Sequence, residues 1–234
     1  IYEDADLLVI NKPAGLVVHP GAGNPRGTLV NGLLNHRRSL ELLPRAGIVH
    51  RLDKDTSGLL LIAAHLGAHK RLVDALQERR IARKYAALVE GVMVGGQDID
   101  RPIGRDPVRR TLQRVREDGR EALTRVRVVQ RYRSHTLITA ALETGRTHQI
   151  RVHLEHLGLP ILGDKMYGQP DSTFTHMLDH GPDAIVREAT GFPRHALHAA
   201  AITIPHPDGG WVTIEAPLSE DMAAIVDGQQ PCWP

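Results

Sequence analysis

The sequence predicts an α+β fold, with a mostly antiparallel mixed sheet flanked by helices and loops. Most ordered segments carry strand patterns, either apolar–polar alternation or short apolar runs, while amphipathic helical segments are sparse. Strands and helices do not alternate strictly, which argues against a parallel βαβ architecture. Of the 234 residues, 41% are hydrophobic but only 3% are aromatic, so the core must be mainly aliphatic.

The N-terminal part of the chain is predicted to open with short strands and then to place a buried strand between two helices. A Pro-Ala-Gly turn separates the first two strands, and a glycine-rich loop follows them. Leucines on one face predict the first helix, an uninterrupted apolar run predicts a strand buried on both faces, and helical apolar spacing predicts the second helix. These elements are strands at 7–11 and 16–19, a helix at 28–37, a strand at 58–66, a helix at 68–80 and a strand at 83–93.

The C-terminal part is predicted to contain a strand pair, a helix, a surface excursion and a closing hairpin with a final helix. Alternating residues predict that the strand pair is antiparallel. Apolar residues at helical spacing predict the helix that follows, which ends at Gly158 ahead of Pro160. These elements are strands at 121–132 and 135–145, a helix at 147–158, an excursion at 169–194, hairpin strands at 196–207 and 211–217, and a helix at 219–228.

Cysteine usage and hydropathy exclude several classes of protein. The only cysteine is Cys232, so disulfide frameworks and cysteine metal sites are excluded and a cytoplasmic protein is expected. No apolar run approaches the roughly 18 residues that span a bilayer, and no signal peptide precedes the first strand. We expect a monomer with no membrane partner.

Positive charge is concentrated in one part of the chain. The net charge is +2, but residues 101–133 hold eleven Arg and four acidic residues, a net charge of +7. A basic stripe on an otherwise acidic body is typical of a surface that binds a polyanion, although a solvated arginine-rich hairpin is the alternative. Arg105, Arg109 and Arg110 lie in the segment RDPVRRT, which is predicted to be an exposed loop between strands.

The stretch HRLDKDTSG, residues 50–58, places charged groups immediately before the predicted buried strand. Two interpretations are open: a solvated turn, because Asp, Thr, Ser and Gly favour turns, or a site in which an aspartate faces a substrate. A calcium loop is excluded because Ala64 stands where a bidentate Glu is required. Nucleotide-binding glycine motifs and zinc-binding histidine motifs are absent, so no metal site is predicted.

A second polar concentration, ETGRTHQIRVH, occupies residues 143–153 at a predicted helix start. A helix start offers free backbone N–H groups that suit anions. Arg151 follows Ile150 on the buried side, and a buried arginine needs a carboxylate partner. Tyr85 stands between charged residues and a buried strand, where it is either a core-edge tyrosine or a functional one.

Four segments carry a resemblance to a known family. They are NKPAGLVVHP, GIVHRLDKDTSGLLLIA, ARKYAALVEG and LETGRTHQIRVHLEHLGLPILGDKMYG. Together they resemble the RluA family of pseudouridine synthases, over nearly the whole chain up to about residue 222. The resemblance implies an RNA uridine isomerase of the pseudouridine synthase catalytic fold that needs no cofactor, with 23S ribosomal RNA as the expected substrate.

The resemblance also implies roles for individual residues. Asp53 matches the family's catalytic aspartate, and Arg151 matches the arginine whose salt bridge would keep that aspartate ionised. Tyr85 matches the tyrosine that stacks on the target base, and Arg51 matches a residue that can enter the space vacated by a flipped nucleotide. The remaining expected site residues are His50 and Leu52 for active-site support and Lys12, Arg146 and His148, with the three arginines of RDPVRRT, for RNA binding.

The expected organisation is a catalytic domain over residues 1–234, which could form two sub-lobes around a central cleft. Some relatives carry an N-terminal S4 RNA-binding domain, and we expect that domain to be absent from this chain. Three other functions stay open: a metal-dependent nuclease using Asp53 and Asp55, a non-catalytic RNA-binding module, and a pseudouridine synthase acting on tRNA.

Overall fold

The computed structural model describes residues 1–21, 23–181 and 183–228, so Cys232 lies outside the described residues. The chain divides into two compact units. Unit 1 consists of Ile1–Arg83 and His198–Ser219, and unit 2 consists of Lys84–Leu197 with the segment that begins at Glu220. Among the described residues, no helix has the length and apolar character to cross a membrane.

The secondary structure confirms the predicted α+β class with mainly antiparallel pairing. The strands are β1 Tyr2–Glu3, β2 Leu7–Lys12, β3 Ser57–Ala63, β4 Ala82–Glu90, β5 Gln97–Asp100, β6 Ile103–Arg105, β7 Gln113–Val115, β8 Leu123–Arg131, β9 His135–Leu142, β10 Leu197–Pro205 and β11 Trp211–Glu215. The helices are α1 Leu29–His36, α2 Leu66–Gln77, α3 Gln149–His156, α4 Asp171–His180, α5 Ala184–Thr190 and α6 Glu220–Gly228.

Unit 1 is built around β3, which is buried at every position as its apolar sequence predicts. It pairs antiparallel with β2, and at its first residues it pairs parallel with β10. Gly58 makes that parallel contact possible: its φ is +104°, and a Cβ there would stand 2.3 Å from the carbonyl oxygen of Ala199. The N-terminal end of β3, directly after HRLDKDTSG, is therefore fixed against β10.

Unit 2 contains a larger antiparallel group of strands and a small separate hairpin. In the larger group β8 lies between β9 and β5, and β4 neighbours β9. The small hairpin, formed by β6 and β7, pairs Ile103 with Val115. It has a core of its own, whose buried members are Ile103, Leu112, Ala122, Val152, Tyr167 and Phe174.

One predicted strand is wrong. No strand forms at 16–19, because the carbonyl groups of Val17 and Val18 accept hydrogen bonds from Leu29 and Val30 at the start of α1 instead of joining a sheet. The segment 169–194 is a surface excursion as predicted, since most of its described residues are exposed or half-buried, and it contains the two helices α4 and α5. Phe174 anchors α4 in the core of the β6–β7 hairpin, a long-range contact that the polar local sequence does not reveal.

Candidate active site

Asp53 lies in a short loop that leads into β3. Asp53 is half-buried, and the preceding residue, Leu52, is buried. The carbonyl oxygen of Asp53 accepts the N–H of Thr56 at 3.2 Å. That bond closes a turn over Lys54 and Asp55. The stretch HRLDKDTSG therefore contains a turn that leads directly into a fully buried strand. That Asp53 faces a substrate stays a prediction.

Lys12 stabilises this loop through a hydrogen bond to its backbone. Its side chain has 0% exposure, and its ammonium donates to the carbonyl oxygens of Pro13 at 2.9 Å, Leu16 at 3.1 Å and Lys54 at 2.8 Å. Gly15 N–H donates to the same Lys54 oxygen at 3.0 Å. The prediction that Lys12 contacts RNA is therefore wrong, because a buried ammonium that is saturated by carbonyl oxygens positions the loop and cannot reach a phosphate.

His50 connects the start of the loop to β3. Its Nε2 accepts the backbone N–H of Leu61, in the middle of β3, at 3.0 Å. Burial, reinforced by the charge of Arg83, lowers the pKa of His50 to about 3, so the ring is neutral at physiological pH. Arg51, by contrast, is exposed. The pKa of His19 is lowered mainly by burial, and the charges of Arg45 and Arg51 lower it further.

Arg151 has a buried carboxylate partner in unit 2. Its Nε and Nη2 donate to the two oxygens of Asp164 at 2.7 Å and 2.9 Å, and Asp164 has 0% exposure. Burial alone would raise the pKa of Asp164, but the Arg151 guanidinium and further hydrogen bonds hold that pKa below its ordinary value. The expected pairing of Arg151 with Asp53 stays a prediction.

Two residues near Arg151 were missed by the sequence analysis. Asp164 and Tyr167 stand in GDKMYG, where the only indication was a carboxylate followed closely by a tyrosine after an apolar helix. Tyr167 is buried, and its hydroxyl lies 2.7 Å from Nδ1 of His148. His148 itself precedes α3 with a left-handed φ of 56°, which a non-glycine residue adopts rarely.

Tyr85 lies on β4 in unit 2 and is buried. The burial agrees with a core-edge position as well as with an aromatic wall of a site, so its base-stacking role stays a prediction.

The predicted RNA-binding arginines differ in how far they are already engaged. Arg105, the last residue of β6, and Arg110, on the loop between β6 and β7, are both exposed. Arg109 pairs with Asp171 at 2.7 Å and lies 4.9 Å from the centre of the Phe174 ring. Arg146 is half-buried and donates to the carbonyl oxygen of Glu121.

Acidic residues from outside the basic stripe neutralise part of it. Asp98 pairs with both Arg125 and Arg127, and Glu143 pairs with Arg125 as well. The charge of +7 calculated along the chain therefore overstates the positive charge of this surface.

A family model described as RNA pseudouridylate synthase matches residues 6–156, well over half of the chain. The chain belongs to the RNA pseudouridylate synthase family. The matched region contains Asp53, Tyr85 and Arg151. The chain is accordingly an enzyme, an RNA pseudouridine synthase, as the resemblance implied.

Curated relatives of this pseudouridylate synthase cover nearly all of it. It is 49% identical over 227 residues to "Ribosomal large subunit pseudouridine synthase D" of Xanthomonas campestris pv. campestris, which covers 97% of this chain and 67% of the relative. The protein of the same name from Vibrio parahaemolyticus is 48% identical, with 97% and 69% covered. The solved structure of human RNA pseudouridylate synthase domain containing 1, at 24% identity and a TM-score of 0.73, covers 99% of this chain and 87% of the human one, which shows a shared fold.

In the described part of this pseudouridylate synthase, one group of three side chains has metal-ligand geometry. Asp4, Asp6 and His206 bring their ligand atoms within 4.8 Å of one another. Each already has protein partners: Asp4 accepts from His206 at 2.8 Å, and Asp6 pairs with His65 at 2.9 Å. Neither Asp53 nor Asp55 belongs to this group.

Proposed function

We propose that this pseudouridine synthase acts on uridines of 23S ribosomal RNA, as a cytoplasmic monomer, with Asp53 as its catalytic carboxylate. The observation that carries the assignment of Asp53 is the buried Lys12 ammonium bound to the carbonyl oxygen of Lys54, the residue after Asp53. A carboxylate on a loop held in this way keeps its position when the substrate binds, which catalysis requires. The names of the curated relatives support the choice of large-subunit RNA.

The reaction is balanced without any co-reactant. The bond from N1 of uracil to C1′ of ribose breaks and a bond from C5 to C1′ forms, while C5 loses a proton and N1 gains one. An ionised aspartate can serve such a reaction as nucleophile at the sugar or as base toward the base ring. In this proposal Tyr85 stacks on the target base, and Arg151 keeps Asp53 ionised.

The remaining site residues divide into support and RNA contact. His50 and Leu52 support the loop: one bonds the β3 backbone, and the other is buried beside Asp53. Arg51 is exposed next to Asp53 and is assigned to the space that the flipped nucleotide leaves. Arg105, Arg110 and Arg146 are assigned to phosphates of the RNA.

The test is to incubate the purified protein with unmodified 23S rRNA, with tRNA and with an RNA lacking uridine. Carbodiimide treatment followed by primer extension then maps any pseudouridine. We expect it in 23S rRNA only and with the same yield in EDTA, and we expect a monomer in sedimentation. Modification confined to tRNA would transfer the substrate to that class, and intact, unmodified but bound RNA would indicate a non-catalytic binding module.

Replacing both Arg109 and Arg110 by alanine should weaken RNA binding and flatten its salt dependence by roughly one to two units of slope. Each arginine that leaves a phosphate reduces the number of counterions released on binding. Arg110 should contribute more than Arg109, because Asp171 already pairs with Arg109. Salt titrations of the Kd for one RNA measure this effect.

The matched control for that pair is Arg127→Ala, since Arg127 lies in the same basic stripe but pairs with Asp98. Its salt slope should equal that of the wild type, and the rate at saturating RNA should be unchanged in every variant. Parallel salt titrations for wild type and the double variant would mean that the β6–β7 loop does not touch phosphate.

A further inference from the structure

We propose that Tyr167 is a positioning residue that connects the β6–β7 hairpin, residues 103–115, to the guanidinium of Arg151. The proposal rests on the proposed function, because it takes this hairpin as an RNA-binding element and Arg151 as part of the active site. Tyr167 contacts both with different atoms, so the two contacts can be separated by substitution.

The hydroxyl of Tyr167 faces the hairpin. It accepts the backbone N–H of Gln113, the first residue of β7, at 3.0 Å. It also lies 2.7 Å from Nδ1 of His148, whose ring meets the Tyr167 ring edge to face at 5.6 Å. The hydroxyl therefore joins β7 to His148, the residue immediately before α3, and α3 carries Arg151.

The ring of Tyr167 faces Arg151. The guanidinium carbon lies 4.9 Å from the ring centre, within the range of a cation–π contact. Asp164, which holds the same guanidinium through two hydrogen bonds, also accepts the backbone N–H of Tyr167 at 3.1 Å. The backbone and the ring of Tyr167 thus both contribute to the orientation of Arg151.

Packing makes this connection stiff. Tyr167 is buried in the small core of the hairpin with Ile103 and Leu112 of the hairpin and Val152 of α3. Close-packed interiors transmit displacements because they contain little free volume to absorb them. A shift of the hairpin on binding RNA would consequently reach α3, which carries Arg151.

His148 supports the same interpretation. Its left-handed backbone belongs to a sparsely populated region, and such residues persist where surrounding contacts fix them. The Tyr167 hydroxyl is one of these contacts. The predicted RNA-binding role of His148 is replaced here by a bond to the residue that joins hairpin and active site, which its half-buried position allows.

The decisive experiment is a double-variant cycle on RNA affinity with Tyr167→Phe and Arg110→Ala. Tyr167→Phe removes the hydroxyl but keeps the ring under Arg151, so the Kd should rise about threefold to tenfold while the single-turnover rate at saturating RNA stays within about twofold. The effect of Arg110→Ala on the Kd should be smaller in the Tyr167→Phe background than in wild type. Tyr132→Phe, which changes another buried tyrosine of unit 2, is the matched control and should leave both quantities unchanged.

Tyr167→Leu, which also removes the ring, should lower the single-turnover rate by about tenfold or more. Multiplicative, independent effects of Tyr167→Phe and Arg110→Ala on the Kd would overturn the proposal, as would a Tyr167→Leu enzyme with the wild-type rate. Should Tyr167→Leu fail to fold, the cycle alone decides. A wild-type protein that binds RNA but forms no pseudouridine would instead overturn the proposed function.

Discussion

Asp53→Asn is expected to reduce pseudouridine formation by at least about a thousandfold, the scale of losing a group that reacts directly with the substrate. The neutral amide is neither a nucleophile nor a base. Folding should be preserved, because the substitution is nearly isosteric and the turn bond at this position uses the backbone carbonyl of Asp53. Single-turnover assays on 23S rRNA, with thermal melting as the folding control, measure both effects.

The matched control is Asp55→Asn, which makes the same chemical change two residues further along the same turn. It should keep activity close to that of the wild type, since Asp55 is assigned to the turn. A rate near wild type for purified Asp53→Asn would remove Asp53 from the mechanism. Equal losses in the two variants would indicate that the shape of the loop, rather than the Asp53 carboxylate, had been changed.

Arg151→Met is expected to destabilise the protein by about 3–5 kcal/mol, because it leaves the fully buried carboxylate of Asp164 without its guanidinium. Urea denaturation of wild type and variant at neutral pH measures the difference. Adding Asp164→Asn to Arg151→Met should restore part of the stability, since an asparagine oxygen can still accept the N–H groups of Met166 and Tyr167. No recovery in the double variant would contradict the account of the single one.

The same pair predicts how stability depends on pH. In the folded wild type the pKa of Asp164 is below its ordinary value, so this group stabilises the fold above about pH 4 and loses that contribution as the pH falls through its folded pKa. Without Arg151, burial raises that pKa, and the folded variant favours the protonated acid. The stability gap between wild type and Arg151→Met should therefore be largest at neutral pH and shrink in acid.

Local sequence patterns were sufficient to predict the strands whose apolar run or alternation is present in their own residues. The apolar run of β3 and the alternating residues of β8 and β9 specify strands wherever they pack. The segment at 16–19 has a similar pattern, but its carbonyl groups are used by the start of α1, and this competition involves residues ten or more positions away. The helix α4 is likewise stabilised by Phe174 in a distant core.

For the candidate site, residue types could be predicted better than partners. Arg151 was expected to need a carboxylate, yet nothing local identifies Asp164, thirteen residues further along the chain, as that carboxylate. Lys12 was expected among the RNA contacts, and only the folded turn brings three carbonyl oxygens around its ammonium. The positive charge of the basic stripe was overestimated because two acidic residues that pair with its arginines, Asp98 and Asp171, lie outside it in sequence.

The parallel pairing of β3 with β10 has a consequence for the order in which the molecule is made. Where these strands pair, the Oγ of Ser57 lies 2.9 Å from Nδ1 of His198, and the two residues are separated by 141 positions in the chain. Because synthesis proceeds from the N-terminus, β3 leaves the ribosome long before its partner and must wait with one edge open. A nascent chain that stalls before residue 198 would contain the complete β6–β7 hairpin. The β3 strand that follows the Asp53 loop would, however, lack its pairing with β10.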